Sequence, residues 1–143
     1  SVTNGTYGRE PYFVLLRAKS ARKNAHAPYS KYYVGLALKT SSGKIYYGCN
    51  IENHGIQGIC GERTAFAKAL SEGEREFEKS AVVGGKNCNV TELFMPCGVC
   101  RQVMAEFCRQ DFEIIVAKST DEFYSFTLEQ LLPHGFSPKN IKI

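Results

Sequence analysis

Between Tyr12 and Asn24, Phe13, Leu15, Leu16 and Ala18 recur at helical spacing ahead of a basic run, which predicts a first amphipathic helix. Ala27-Pro28-Tyr29-Ser30 stops it, and the period changes. Val34, Leu36 and Leu38 alternate through Tyr33 to Thr40, Ser41-Ser42-Gly43 makes a turn, and Lys44 to Cys49 returns as the second strand of a hairpin. Helical spacing resumes from Cys60 to Glu72, with Ala65, Phe66, Ala69 and Leu70 on the inner side and Gly73 at the end. Lys79 to Gly84 predicts a strand. After the polar start of a loop at 85–95, Pro96 opens a helix over Cys97 to Cys108 with Val103, Met104 and Phe107 as its apolar face. Phe112 to Ala117 and Glu122 to Phe126 are strands, Leu128 to Leu132 is a short helix closed by Pro133, and His134 to Ile143 is irregular.

This order of elements predicts an α/β fold, a three-layer α/β/α sandwich around a mixed five-stranded sheet. The length suits a single domain over 11–143. Residues 1–10 are small and polar and include Asn4-Gly5 and Gly8, the pattern of a flexible N-terminal tail.

Composition narrows the function classes. Hydrophobic residues at 43% and charged residues at 22% exclude a disordered or collagen-like chain. The net charge of +4 is dispersed among acidic residues, so no nucleic-acid partner is expected. No stretch approaches the roughly 20 apolar residues of a membrane span, and the N-terminus lacks the order of a secretory signal. A cytoplasmic protein with no membrane partner is the expectation, and in that compartment six cysteines point to metal or catalysis before disulfides.

Cys60-Gly61-Glu62 begins one predicted helix and Pro96-Cys97-Gly98-Val99-Cys100 begins another. Free amides and the positive dipole end at a helix N-terminus favour thiolates, the form a metal requires. Three thiolates around Zn²⁺ leave a fourth tetrahedral position for water, whereas a fourth cysteine, Cys49 or Cys88, would close the site and make it structural. Glu62, two residues past a ligand, is placed to act as general acid and base on that water; the plain alternative is a glutamate that only complements the helix dipole. Three thiolates overcompensate a dication, so a nearby guanidinium is expected to restore its acidity, with Arg63 and Arg101 as candidates.

A ligand two residues before a glutamate, followed by Pro-Cys-x-x-Cys, is the arrangement of zinc deaminases. Together with Cys49-Asn50-Ile51-Glu52-Asn53, Cys60-Gly61-Glu62-Arg63-Thr64-Ala65, Pro96-Cys97-Gly98-Val99-Cys100-Arg101-Gln102-Val103 and Leu131-Leu132-Pro133, it resembles the short, homotetrameric cytidine deaminases from about Tyr12 to Ser137. The resemblance implies one Zn²⁺ per subunit on Cys60, Cys97 and Cys100. It also implies hydrolytic attack of a zinc-activated water on C4 of cytosine, Glu62 protonating N3 and then the departing amino group. By the same likeness Asn50 and Glu52 bond the ribose hydroxyls, the Gly61 amide bonds the pyrimidine O2, Tyr32 lies near the ring, and Phe136 reaches into a neighbouring subunit.

The chain departs from that pattern in three places. The 53–59 segment is one residue shorter than the family's loop and lacks its tyrosine, although His54 lies within it; the 85–95 loop is longer; and Gly61 replaces alanine. A shortened loop is also found in the more distant blasticidin-S deaminases, so a deaminase of blasticidin S or another cytosine-bearing small molecule is an alternative substrate reading. A polymer-editing deaminase and a non-enzymatic structural zinc module complete the set.

Overall fold

The computed structural model describes residues 2–4, 9–55, 57–87, 93–118 and 122–141, with side chains from residue 14 onward. In chain order the elements are β1 (Val2–Asn4), α1 (Arg9–Arg22), β2 (Tyr32–Thr40), β3 (Ile45–Cys49), α2 (Gly61–Ser71), β4 (Phe77–Lys86), α3 (Gly98–Phe107), β5 (Glu113–Ala117), β6 (Glu122–Thr127) and α4 (Leu128–Leu131), then a 3₁₀ turn at Pro138–Asn140. The expected 85–95 loop is only partly described, since 88–92 lie outside these residues, and β4 runs two residues further into it than the alternation predicts.

The sheet order is β1-β6-β5-β4-β2-β3. The β4–β5 pair is parallel and the others are antiparallel, so the five strands legible from the sequence form the expected mixed sheet. A sixth, short strand adds to it at the edge. Val2–Asn4, within the stretch read as a tail, pairs antiparallel with β6 in the register Val2↔Tyr124 to Asn4↔Glu122.

The first helix begins at Arg9, three residues before the sequence pattern places it. Pro11 is thereby in the first turn, where its missing N–H has no intrahelical acceptor to lose. Val14, Leu15, Ala18 and Ala21 are buried, while Leu16 is exposed. At 100° per residue the buried arc through 14, 15, 18 and 21 leaves position 16 on the outer side, which corrects the apolar face expected from the spacing of Phe13, Leu15, Leu16 and Ala18.

Alternation along the strands sends side chains to two separate cores. Ala37, Ala81, Val83, Ile115 and Ala117 pack with Val14, Leu15 and Ala18 under α1. Leu36, Leu38, Val82, Ile114 and Val116 pack with Ala65, Phe66 and Ala69 of α2, Met104 of α3 and Leu128 of α4. These are the three layers, with α1 on one face of the sheet and the later helices on the other.

In α3 it is Cys100 and Met104, one turn apart, that are fully buried; Val103 packs at the margin and Phe107 is exposed. The end of α2 follows the glycine rule. Gly73 adopts φ +98°, its N–H bonds the Leu70 carbonyl at 3.1 Å, and Glu74 N–H bonds Ala69 at 3.0 Å, a Schellman termination.

Topology brings one end of this assembly together. Because β3 and β4 both run antiparallel to β2, the start of β2 (Tyr32), the end of β3 (Cys49) and the end of β4 (Lys86) lie at the same edge. The chain leaves β3 and β4 there to enter α2 and α3, so both cysteine-bearing helix N-termini open on that edge.

Candidate active site

Cys60 and Cys97 occupy the N-cap positions of α2 and α3, with extended backbone (φ −77°, ψ 155° and φ −68°, ψ 168°) and no side-chain cap. Oxygen-bearing residues usually stand there. A sulfur in their place leaves the first-turn amides unclaimed and aims their dipoles at the thiol. Cys100 is three residues into α3, on the same side as Cys97, and their sulfurs are 3.2 Å apart. Across the helices Cys60 Sγ lies 3.7 Å from Cys97 Sγ, and all three sulfurs are within 4.8 Å of one another.

These spacings fit zinc. Zn–S bonds of about 2.3 Å in tetrahedral geometry place sulfurs about 3.8 Å apart. The electrostatics of the bare cluster also call for a cation. Cys60 is drawn down to about 5, chiefly because the Cys100 thiol donates to its sulfur, while Cys100 is pushed far up by that same hydrogen bond and by burial. A dication beside them favours thiolate over thiol at its ligands. Among the described residues the cluster contains these three cysteines alone. Cys49 is not in it and behaves as a half-buried thiol whose pKa burial raises; Cys88 lies outside the described residues. Cys100 is fully buried and Cys97 exposed, so the cluster has a closed side and a side that water can reach.

Glu62, in the first turn of α2, is 4% exposed. Burial pushes its carboxyl up to about 7, the charge of Cys60 adds to the rise, and a hydrogen bond with Cys100 opposes it. The carboxyl therefore titrates near neutrality against the sulfurs, the condition for a group that both accepts and returns a proton.

Of the two candidate cations, the fold selects Arg63. Its Nη2 is 3.7 Å from Cys60 Sγ, its pKa is raised chiefly by that contact, and its buried Nε has no partner. Arg101 is directed elsewhere: Nε donates to Pro96 O at 2.7 Å and Nη1 to Leu131 O at 2.6 Å, fastening the start of α3 to α4.

Close backbone contact sets the position of α2. A Cβ on Gly48 would lie 2.2 Å from the Gly61 carbonyl and 2.6 Å from Ala65 N, so glycine alone admits the helix start against β3. Thr64 Oγ1 sits within 3.1 Å of both the Cys49 and Cys60 carbonyls and ties strand end to N-cap. Gly48→Ala is expected to cost about 1–3 kcal/mol of stability and to weaken zinc retention, read by denaturant unfolding and metal content; unchanged values for both would show that the contact relaxes freely. Gly61 is different. A Cβ there would meet Cys49 Cα at 3.4 Å and Val34 O at 3.5 Å, ordinary contact distances, so the departure from alanine leaves the backbone placement intact. As the first residue of α2, Gly61 presents an N–H with no intrahelical acceptor.

The remaining residues singled out from the sequence fall into separate arrangements. Asn50 accepts from Val34 N at 2.9 Å and donates to Tyr32 O at 2.8 Å, which pins the start of β2 and leaves one donor and one lone pair for a ligand. Glu52 is held by the Ser30 hydroxyl at 2.5 Å and by the amides of Tyr29 and Ser30 at 3.1 Å; these bonds, the hydroxyl first, keep its carboxyl below the usual range. Glu52 and His54 line a hollow of about 490 Å³ with Tyr29, Asn53 and Gly58. A larger hollow of about 700 Å³ beneath Cys108 and Leu132, at the far end of α3, holds none of these residues. Tyr32 meets Phe94, with ring centroids 5.4 Å apart. Phe136 is 58% exposed, its carbonyl bonded by Gln102 Nε2 at 2.8 Å, and within this chain it projects from the surface.

Ser30, Thr64 and Phe94 contact these residues without having been singled out. Ser30 acts across 22 residues and Thr64 through carbonyls, contacts that no local pattern announces.

Residues 10–116 match the family model described as the cytidine and deoxycytidylate deaminase zinc-binding region. The chain is 42% identical over 129 residues to a cytidine deaminase of Sporosarcina psychrophila, covering 90% of this chain and 92% of that one. It is 41% identical over 127 residues to a probable cytidine deaminase of Dictyostelium discoideum, with 87% and 82% covered. The crystal structure of a cytidine deaminase from Burkholderia pseudomallei superposes with a TM-score of 0.80 at 39% identity, covering 87% of this chain and 98% of the other. A family match over most of the length, joined to a three-sulfur cluster with a buried glutamate beside it, places the chain in the zinc-dependent cytidine deaminase family.

Proposed function

We propose that the chain hydrolyses free cytidine and deoxycytidine to uridine and deoxyuridine with release of ammonia, a step of pyrimidine salvage in the cytoplasm. The observation that carries this reading is the position of Glu62, buried against a sulfur cluster that is three-membered among the described residues. Cys60, Cys97 and Cys100 would hold the metal. When bound there, Zn²⁺ supplies the Lewis acidity that makes water a nucleophile at neutral pH. Glu62 takes one proton of the attacking water and passes it to N3 of the base, then takes the remaining proton from the oxygen now bonded to C4 and passes it to the amino group, so that the C4–N bond breaks, ammonia leaves and C4 becomes the uracil carbonyl. The Gly61 amide donates to O2, and the free valences of Asn50 together with Glu52 hold the ribose hydroxyls. Tyr32 flanks the ring. Arg63 offsets the charge of the Cys60 thiolate.

The exposed Phe136 supports a further element of this reading, a homotetramer in which that ring completes the site of a neighbouring copy. An exposed phenylalanine beside a fixed backbone bond to α3 is suited to insertion in a second chain. No described helix is long and apolar enough to cross a membrane.

The relatives above do not favour the blasticidin S alternative. An ultraviolet assay of the zinc-loaded protein with cytidine, deoxycytidine and blasticidin S side by side is expected to show stoichiometric uridine, deoxyuridine and ammonia. Conversion of blasticidin S with both nucleosides unchanged would reassign the substrate. Equal turnover of cytosine within an oligonucleotide would overturn the small-molecule reading.

A further inference from the structure

β2 and β4 pair so that Val34 stands opposite Gly84 and Tyr32 opposite Lys86. Alternation puts Tyr32 and Val34 on the face shared by Leu36 and Leu38, the face that carries α2 and α3. At Gly84 that face has no side chain, and the ring of Phe94 fills the gap. A Cβ added at Gly84 would lie 2.9 Å from Phe94 Cγ and 3.0 Å from Val34 Cγ2. From this notch the half-buried Phe94 meets Tyr32 at an interplanar angle of 50°.

The segments that carry the pair lead to both cysteine-bearing helix starts. Val34 O is 3.5 Å from the place a Gly61 Cβ would take, Phe94 precedes Cys97 by three residues, and Asn50 bonds the backbone of both Tyr32 and Val34. Two aromatic rings tilted at 50° cannot both lie flat on one base, so one ring serves as a backing for the other.

We propose that Phe94 is a positioning residue for the pyrimidine: seated in the Gly84 notch, it holds the Tyr32 ring at a fixed tilt with one face open to the base. The proposal rests on the deaminase reading above and adds a residue to the aromatic wall of the site. Phe94 acts through Tyr32, so its removal loosens base binding and leaves the proton-transfer machinery in place.

The test uses the zinc-loaded full chain and compares wild type with F94A, F94L, G84A and F94A/G84A. Cytidine KM and kcat, the Kd of uridine by calorimetry, and zinc content are measured for each. F94A is expected to raise both KM and the uridine Kd by about tenfold, the scale of losing one base–aromatic contact, with kcat and zinc content nearly unchanged. F94L, which refills the notch without a ring, recovers part of the loss. G84A keeps the ring but evicts it, so it shifts KM and Kd in the same direction. In F94A/G84A the added methyl has no ring to evict and meets only the Val34 methyl at 3.0 Å, so the effect is no greater than that of F94A alone.

Uridine affinity unchanged in F94A, a fall in kcat without a change in Kd, or full additivity of the two substitutions would each overturn the proposal. If F94A fails to fold, F94L and G84A decide it by the same Kd comparison. A wild-type chain that binds uridine yet leaves cytidine unchanged would instead remove the deaminase reading, and the uridine measurements would still decide the role of Phe94.

Discussion

Glu62→Gln is expected to retain about one zinc per chain, the full ligand set being untouched, while cytidine turnover falls by about 10³-fold or more. The side chain keeps its shape and loses only its ability to take and return a proton, and a positioned acid–base group contributes roughly 10²–10⁴-fold per role. In the proposed reaction one carboxylate serves more than one transfer, so the loss sits at the upper end of that range. Metal analysis and steady-state kinetics on the same preparation check it. Near-normal kcat with zinc present would remove Glu62 from the mechanism and return it to the plain role of complementing a helix dipole.

The same substitution has a signature in the metal-free protein. Burial raises the folded-state carboxyl to about 7 from an ordinary 4.5. The folded state thus binds this proton more tightly than the unfolded chain does. Its contribution to stability is complete below pH 4.5 and is lost as pH rises through about 7. Glutamine cannot titrate, so E62Q is expected to flatten the unfolding free energy across that window, read from denaturant melts of the apoprotein at several pH values. An unaltered slope would show that the acid is solvated in the folded state.

Removing a ligand attacks the site from the other side. Cys97→Ala is expected to abolish stoichiometric zinc and to lower activity by at least about 10³-fold, since the cluster then offers two sulfurs where a catalytic zinc site uses three protein ligands. Chelation of the wild-type chain should reproduce the effect. Zinc at about a thousandfold above its Kd stabilises the folded state by about 4 kcal/mol, which for a domain of this size corresponds to a Tm change of about 10 °C. Calorimetry with and without zinc checks the shift. Absorption spectroscopy at the zinc edge completes the test: three sulfurs and one lighter neighbour support an open site, and four sulfurs would make it a closed structural one.

Much of the site was readable along the chain because its chemistry lies at helix starts. The pairing of Cys60 with Glu62, and of Cys97 with Cys100, needs only the rise of one helical turn, and a cysteine, proline and glycine pattern announces where each turn begins. The hairpin from Tyr32 to Cys49 and the buried face of α2 follow from periods of 2 and 3.6 for the same reason. Local geometry is encoded in local spacing.

Other features depend on contacts between segments that no spacing relates. Of Arg63 and Arg101 the sequence favours Arg63 for its place beside Cys60, but only the packing of α3 against α4 turns Arg101 toward Pro96 and Leu131 while Arg63 reaches Cys60. The identity of the exposed position in α1, Leu16 where Val14 is buried, depends on the rotation at which that helix meets the sheet. The addition of Val2–Asn4 to β6 required a free sheet edge, a property of the assembled sheet and not of residues 2–4.

By itself, then, the order of residues determined the elements, the sulfur ligands offered and the acid beside them, since each of these is decided within one turn or one strand. Tertiary structure decided how the start of α2 seats against Gly48 of β3, where Arg101 turns, which hydroxyl holds Glu52 and which ring meets Tyr32. The physical reason is that hydrogen bonds and van der Waals contacts act over a few ångströms, whereas these partners stand tens of residues apart until the sheet brings them to one edge.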